Sequence, residues 1–130
     1  MTQKHKHLIV RADINWCPQE EDLNKISDWI RSLIKKIDMK LLAGPYTTYV
    51  SEKGNKGMTS VAIIETSHIA LHIWDESSPG LMQLDVYSCA EFSSNEVLTE
   101  FIDMEVVKMD HIMLDRADEI KTIGGQQKDK

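Results

Sequence analysis

The chain has 130 residues, a formal net charge of -6 at pH 7, 42% apolar and 28% charged residues, which is enough for one hydrophobic core and too little for two domains. The acidic balance excludes a general nucleic-acid binder, because phosphate contacts need clustered Lys and Arg, and no apolar run is long enough to span a bilayer. Two distant cysteines, Cys17 and Cys89, lack CxxC spacing, and the start Met1 to His7 is polar and basic, so the reading is of free thiols in a cytoplasmic protein without an export segment.

Leu8 to Ile14 alternates apolar and polar residues and predicts a first strand. Pro18 followed by Glu20, Glu21 and Asp22 marks a helix start, since proline tolerates the first turn and carboxylates favour the positive end of the dipole. Leu23, Ile26, Ile30, Leu33, Ile34 and Ile37 then recur at spacings of three and four, predicting one amphipathic helix of four to five turns packed on a sheet. Met39 to Val50 is interrupted by Gly44-Pro45, which predicts either two short extended pieces or one kinked edge strand. Ser51 to Gly57 reads as a turn between antiparallel neighbours; as a phosphate loop it lacks the GK[ST] ending and a following helix.

Met58 to Ile64 is an apolar run, after which Ile69, Leu71 and Ile73 alternate with His68, Ala70, His72 and Trp74, the mark of a strand with one buried face. Gln83 to Cys89 alternates again. Ser93 to Glu96 supplies cap residues for a short second helix carrying Val97, Leu98, Phe101 and Ile102, and Glu105 to Leu114 predicts the last strand. The predicted class is α+β, a two-layer sandwich of antiparallel sheet covered on one face by two helices. The single domain is expected at 1–115, with a polar tail at 116–130 disordered from Gly124 to Lys130.

Nearly all the chemistry-bearing side chains fall between Glu65 and Cys89. His68 and His72 have the spacing of two zinc ligands on a helical turn, but four residues of strand advance about 13 Å, too far for one ion with bonds of about 2 Å. Ser67 lies between Thr66 and His68 rather than in a GxSxG elbow, which argues against a hydrolase. Taken singly, each of these residues has an ordinary reading: Ser67 as a turn hydroxyl, His72 as a hydrogen-bonded histidine, Cys89 as a small buried hydrophobe. Cys17, His5, His7 and His111 are read as structural or solvated, and Trp16 and Trp29 as packing.

In order, however, Glu65-Thr66-Ser67-His68-Ile69-Ala70-Leu71-His72-Ile73-Trp74 followed by Leu84-Asp85-Val86-Tyr87-Ser88-Cys89 resembles the core of the small prokaryotic-type S-adenosylmethionine decarboxylases. The resemblance implies self-cleavage between Thr66 and Ser67, leaving a pyruvoyl group made from Ser67 and requiring neither metal nor pyridoxal phosphate. It implies that this group binds the substrate amine as a Schiff base and takes up the electrons left by CO2. His72 and Thr59 are then the processing residues and Cys89 the proton donor. Tyr49, His68, Ala70 and Glu76 are expected at the substrate, with Tyr49 the candidate for stacking on adenine. Five residues of strand cover about 17 Å, so His72 is not expected to reach its own Ser67; a homodimer with interface sites is expected instead.

The chain departs from the family pattern at Thr66, where the family usually has Glu, at Ala70, and in the longer segment Asp75 to Met82. These departures keep two other readings open: a pyruvoyl-dependent decarboxylase of arginine or ornithine, and an uncut, non-catalytic regulatory or binding subunit.

Overall fold

The computed structural model describes residues 4–126, excepting the side chains of Ile102 and Asp103. Strand β1 (Lys6–Ile14) is followed by a 3-10 turn at Glu20–Asp22 and helix α1 (Leu23–Lys36). Four consecutive strands come next: β2 (Leu41–Val50), β3 (Gly57–Ile64), β4 (Ser67–Trp74) and β5 (Gly80–Ser88). Helix α2 (Ser94–Leu98) runs into a 3-10 segment, Thr99–Met104, before β6 (Val106–Asp115) and β7 (Lys121–Gln126).

The seven strands form one sheet in the order β2-β3-β4-β5-β1-β6-β7, every pair antiparallel. Period-two burial follows directly from the sequence alternation. Leu8, Val10, Ala12 and Ile14 on β1, Ile69, Leu71 and Ile73 on β4, and Met82, Leu84 and Val86 on β5 are all buried, and they face the apolar stripe Ile26, Ile30, Leu33 and Ile34 of α1. The 3-10 turn leading into α1 is capped where Asp22 Oδ2 accepts the Gln19 N–H at 2.8 Å, and Lys35 and Lys36 lie in the last turn of α1, where cations offset the dipole. Trp29 donates from its indole to the Glu100 carbonyl and packs on Phe101, which ties the two helical segments together.

The opposite face has no covering layer within the described chain: Ile9, Ile63 and Tyr46 are exposed there. The sheet is thus a platform, with helices behind and an uncovered face in front.

Two expectations resolve or change. Met39 to Val50 becomes one edge strand from Leu41, with register shifts between Leu41 and Ala43 and between Ala43 and Tyr46. Gly44 sits there at φ +91, where an added Cβ would meet the Val61 oxygen at 3.0 Å, so the kink needs glycine. The C-terminal segment differs from the expected tail. Lys121–Gln126 is strand β7, paired with β6 through His111↔Gln126 and Leu114↔Thr122, and the Arg116 N–H donates to the His5 carbonyl at 2.7 Å. The ordered sheet therefore extends past residue 115. The segment's low apolar content concealed this, because all six β7 residues are exposed and pairing rests on backbone hydrogen bonds rather than burial. Gln127 to Lys130 of the expected disordered tail lie outside the described residues.

Candidate active site

The residues expected to carry chemistry lie along β4 and its neighbours, at two separate ends. At the Trp74 end, the β3–β4 register sets Thr59 opposite His72, and Thr59 Oγ1 lies 3.0 Å from His72 Nδ1. The imidazole stacks on Trp74, centroids 5.9 Å apart and planes at 28°. Trp74 in turn donates its indole N–H to Asn55 Oδ1 at 2.9 Å. These side chains border a cleft of about 180 Å³ that also includes Val50, Gly57 and Ile73. Gly57 makes the close approach possible, because a Cβ there would fall 1.7 Å from the Ile73 carbonyl oxygen.

At the other end stands Ser67, the first residue of β4, with φ at +151. A serine in this region carries backbone strain of order 1–3 kcal/mol, held only because surrounding bonds impose it. Those bonds are explicit. The Thr66 carbonyl accepts the Cys89 N–H at 2.9 Å, and the β4–β5 register sets Ser67 opposite Ser88. Ser67 Oγ makes no hydrogen bond among the described residues. Cys89 is a free, half-buried thiol just past β5, and its carbonyl accepts the Lys4 N–H at 3.0 Å.

The other expected contacts fall as follows. Ala70 pairs with Val61 and Asp85, in line with His68 and His72. His68 is exposed and stands 3.7 Å from Asp85 Oδ1 through Nε2. Glu76 uses both carboxylate oxygens on backbone N–H groups of the β2–β3 turn, Gly54 at 2.9 Å and Lys56 at 3.2 Å. Those two bonds hold its carboxyl below the ordinary range, and they shape the turn bearing Asn55.

Tyr49 stands apart from His68 and His72. It pairs with Met58, whose side chain is buried on the helix side, whereas Thr48 pairs with Thr59; cross-strand partners share a face, so Tyr49 lies across the sheet from Thr59 and His72. Its phenol donates to Asp75 Oδ2 at 2.6 Å, and this bond to a carboxylate pushes its pKa up to about 12. It is a structural tie and not an aromatic platform on the open face.

The sequence reading passed over a cluster near the Ser67 end. Asp85 Oδ1 is 3.3 Å from His7 Nε2, Tyr87 OH is 2.8 Å from His5 Nδ1, and the Arg116 guanidinium lies 4.3 Å from the Tyr87 ring centre and 3.2 Å from His7 Nδ1. Arg116 has only protons to offer, so His7 accepts at Nδ1 and its Nε2–H donates to Asp85. The His7 hydrogen bond, with the nearby His68 and His72, holds the Asp85 carboxyl below its ordinary value against the opposing effect of burial. The signal was present: β1 starts at Lys6, and continuing its alternation back from Ile9 puts His7 on the Arg11 face. Among the described residues, no group of three or more His, Cys, Asp or Glu side chains is arranged to hold a metal ion.

An antiparallel sheet with helices on one face and His68 and His72 on the other, with Ser67 and Cys89 at one end of the β4–β5 pair, is an α+β architecture. The same fold occurs in the adenosylmethionine decarboxylase from Aquifex aeolicus, whose crystal structure superposes with a TM-score of 0.62 at 16% identity, covering 98% of this chain and 100% of that one. The chain belongs to the S-adenosylmethionine decarboxylase family, whose profile matches residues 6–120. Among its relatives, the S-adenosylmethionine decarboxylase proenzyme of Pyrococcus horikoshii is 32% identical over 81 residues, 62% of this chain and 54% of that protein. That of Pyrococcus furiosus is 32% identical over 98 residues, 74% of this chain and 65% of that protein. The chain thus matches between about half and two thirds of the length of these relatives. Among the described residues no helix is long and apolar enough to cross a membrane.

Proposed function

We propose that the chain is a self-cleaving, pyruvoyl-dependent carboxy-lyase acting on S-adenosylmethionine, whose decarboxylated product feeds spermidine synthesis, in the cytoplasm. The observation that carries this reading is the strained Ser67, φ +151, directly after a carbonyl already held by the Cys89 N–H. That N–H withdraws electron density from the Thr66 carbonyl and is in position to stabilise the oxyanion formed when Ser67 Oγ adds to it. Cleavage of the Thr66–Ser67 amide by its neighbouring hydroxyl relieves the backbone strain.

The atoms balance without any co-reactant except water. Ser67 Oγ bonds to the Thr66 carbonyl carbon, the C–N bond breaks, and the hydroxyl proton ends on the freed nitrogen. Loss of the Ser67 α-proton then breaks the Cβ–O bond and leaves Thr66 as a carboxylate. Hydrolysis at the freed nitrogen releases ammonia and leaves the keto group. When formed, that group supplies an electron-withdrawing carbonyl that accepts the pair left by departing CO2. His72, hydrogen-bonded to Thr59, is the base for the α-proton, and Cys89 returns a proton to the product carbon.

This assignment calls for a second chain packed on the open face. His72 lies about 17 Å along the strand from Ser67 of the same chain. The cleft beside it, about 180 Å³, is also smaller than the roughly 300–1,000 Å³ typical of small-molecule sites. A two-fold homodimer would bring Thr59 and His72 of one chain to Ser67 and Cys89 of its partner.

The test is the intact mass of the purified protein under denaturing conditions beside Ser67→Ala. Two fragments meeting between Thr66 and Ser67, absent in the variant, the C-terminal one blocked to N-terminal sequencing, are expected. A chain still whole after long incubation would replace this reading with that of an uncut binding subunit. Release of CO2 from S-adenosylmethionine, and not from arginine or ornithine, is the expected substrate result.

A further inference from the structure

Behind the scissile peptide lies a chain of hydroxyls that nothing in the family pattern assigns to processing. Ser88 is fully buried. Its Oγ accepts the Ala90 N–H at 3.0 Å and lies 2.8 Å from Thr66 Oγ1; Thr66 Oγ1 lies 3.2 Å from Met39 Sδ. Each hydroxyl has one proton, and a thioether sulfur has none. The directions follow from that count: Ala90 N–H to Ser88 Oγ, Ser88 O–H to Thr66 Oγ1, Thr66 O–H to Met39 Sδ. A direct Ser88 contact to Met39 Sδ is longer, at 3.7 Å.

Thr66 is therefore gripped twice by adjacent residues, its side chain by Ser88 and its carbonyl by the Cys89 N–H at 2.9 Å. Two bonds to one residue fix the orientation of its peptide plane, where a single backbone bond would leave it free to pivot. From this geometry we infer that Ser88 is a positioning residue for self-cleavage, and that the Ser88–Met39 niche makes a threonine hydroxyl, in place of the glutamate usual before the serine, the matching side chain. The step concerned is the first one above, in which the Thr66 C–O bond forms as the C–N bond breaks, so the inference rests on the proposed function. A carboxylate in the niche could use the Ser88 proton, but its second oxygen would face a sulfur that has no proton to give.

The experiment follows the uncut fraction with time by denaturing mass spectrometry, with and without hydroxylamine, which intercepts the ester. It uses the full chain and Ser88→Ala, Ser88→Thr, Thr66→Val, Thr66→Ser and Thr66→Glu, with thermal unfolding recorded for each. Ser88→Ala and Thr66→Val are expected to slow hydroxylamine-sensitive cleavage by about 10- to 100-fold, the scale of a small misplacement of reacting atoms. Ser88→Thr and Thr66→Ser should keep most of the rate, and Thr66→Glu should be slower than Thr66→Ser. Rescue by the hydroxyl-bearing variants separates positioning from a purely structural role, which would follow the unfolding temperature instead. If Ser88→Ala does not fold, the half-buried Thr66→Val decides. Wild-type rates in Ser88→Ala and Thr66→Val, with the parent chain cutting normally, overturn this inference and leave the proposed function standing. A parent chain that never cuts overturns both.

Discussion

The two ends of β4 use different physical means. Around His72, side chains are joined one to another, with Thr59, Trp74 and Asn55 linked by hydrogen bonds and ring stacking about a cleft. Around Ser67, the backbone carries the tension, with φ at +151 and the preceding carbonyl tied to Cys89. On the proposed function, the first end moves protons and the second makes one peptide bond breakable. The strand that separates them spans about 17 Å between Ser67 and His72, so the proposed reaction calls for a second copy of the chain to bring them together.

The strongest way to break this comparison is complementation. Ser67→Ala and His72→Ala should each fail alone, the latter slowing processing by about 10²-fold or more. Together in one preparation they should form mixed dimers with one intact composite site, read as partial cleavage of the His72→Ala chain. No cleavage in the mixture would place both roles within one chain.

Next in size is the contrast between the two faces of the same strand. Leu71→Ala, at a fully buried position, should cost about 2–5 kcal/mol in denaturant unfolding, whereas exposed His68→Ala should change stability by less than about 0.5 kcal/mol. A smaller effect belongs to Trp74→Phe, which removes the bond to Asn55 and should lower stability by about 1 kcal/mol, with slower self-cleavage than the parent.

The smallest effect tests the Asp85 network by pH. Asp85 has its folded pKa depressed, first by the His7 hydrogen bond. Its stabilising contribution is therefore present above the ordinary value of 3.8 and lost as pH falls through the lower folded value. Asp85→Asn should flatten that part of the acid-unfolding curve and leave its shape near neutrality unchanged. An unchanged acid limb would mean that the His7 bond does not bias the carboxylate.

Much of this was legible in the residues. Ile69, Leu71 and Ile73 declared the buried face of β4, and Ile26, Ile30, Leu33 and Ile34 the stripe that covers it, because burial leaves a periodic trace. Family order singled out Thr59, Ser67, His72 and Cys89 as a group. Which face Tyr49 takes was not legible, because the register shifts between Leu41 and Tyr46 disturb the alternation of an edge strand. Strand β7 was hidden because it buries nothing, and for the His7 cluster alternation gave the face of His7 but not its partners, 78 and 109 positions away. The strain at Ser67 was equally invisible, being a property of the backbone that no side chain announces.

The order of strands has a mechanical consequence. A cut between Thr66 and Ser67 divides the chain into a fragment holding β1, β2 and β3 and another holding β4 to β7, yet across the sheet these alternate: β2-β3, then β4-β5, then β1, then β6-β7. Each piece is clasped between parts of the other, like fingers of two hands laced together. The severed halves should co-migrate through any native separation and part only when the sheet itself is unravelled. A chain nicked at this bond has lost a covalent link without gaining the freedom to come apart.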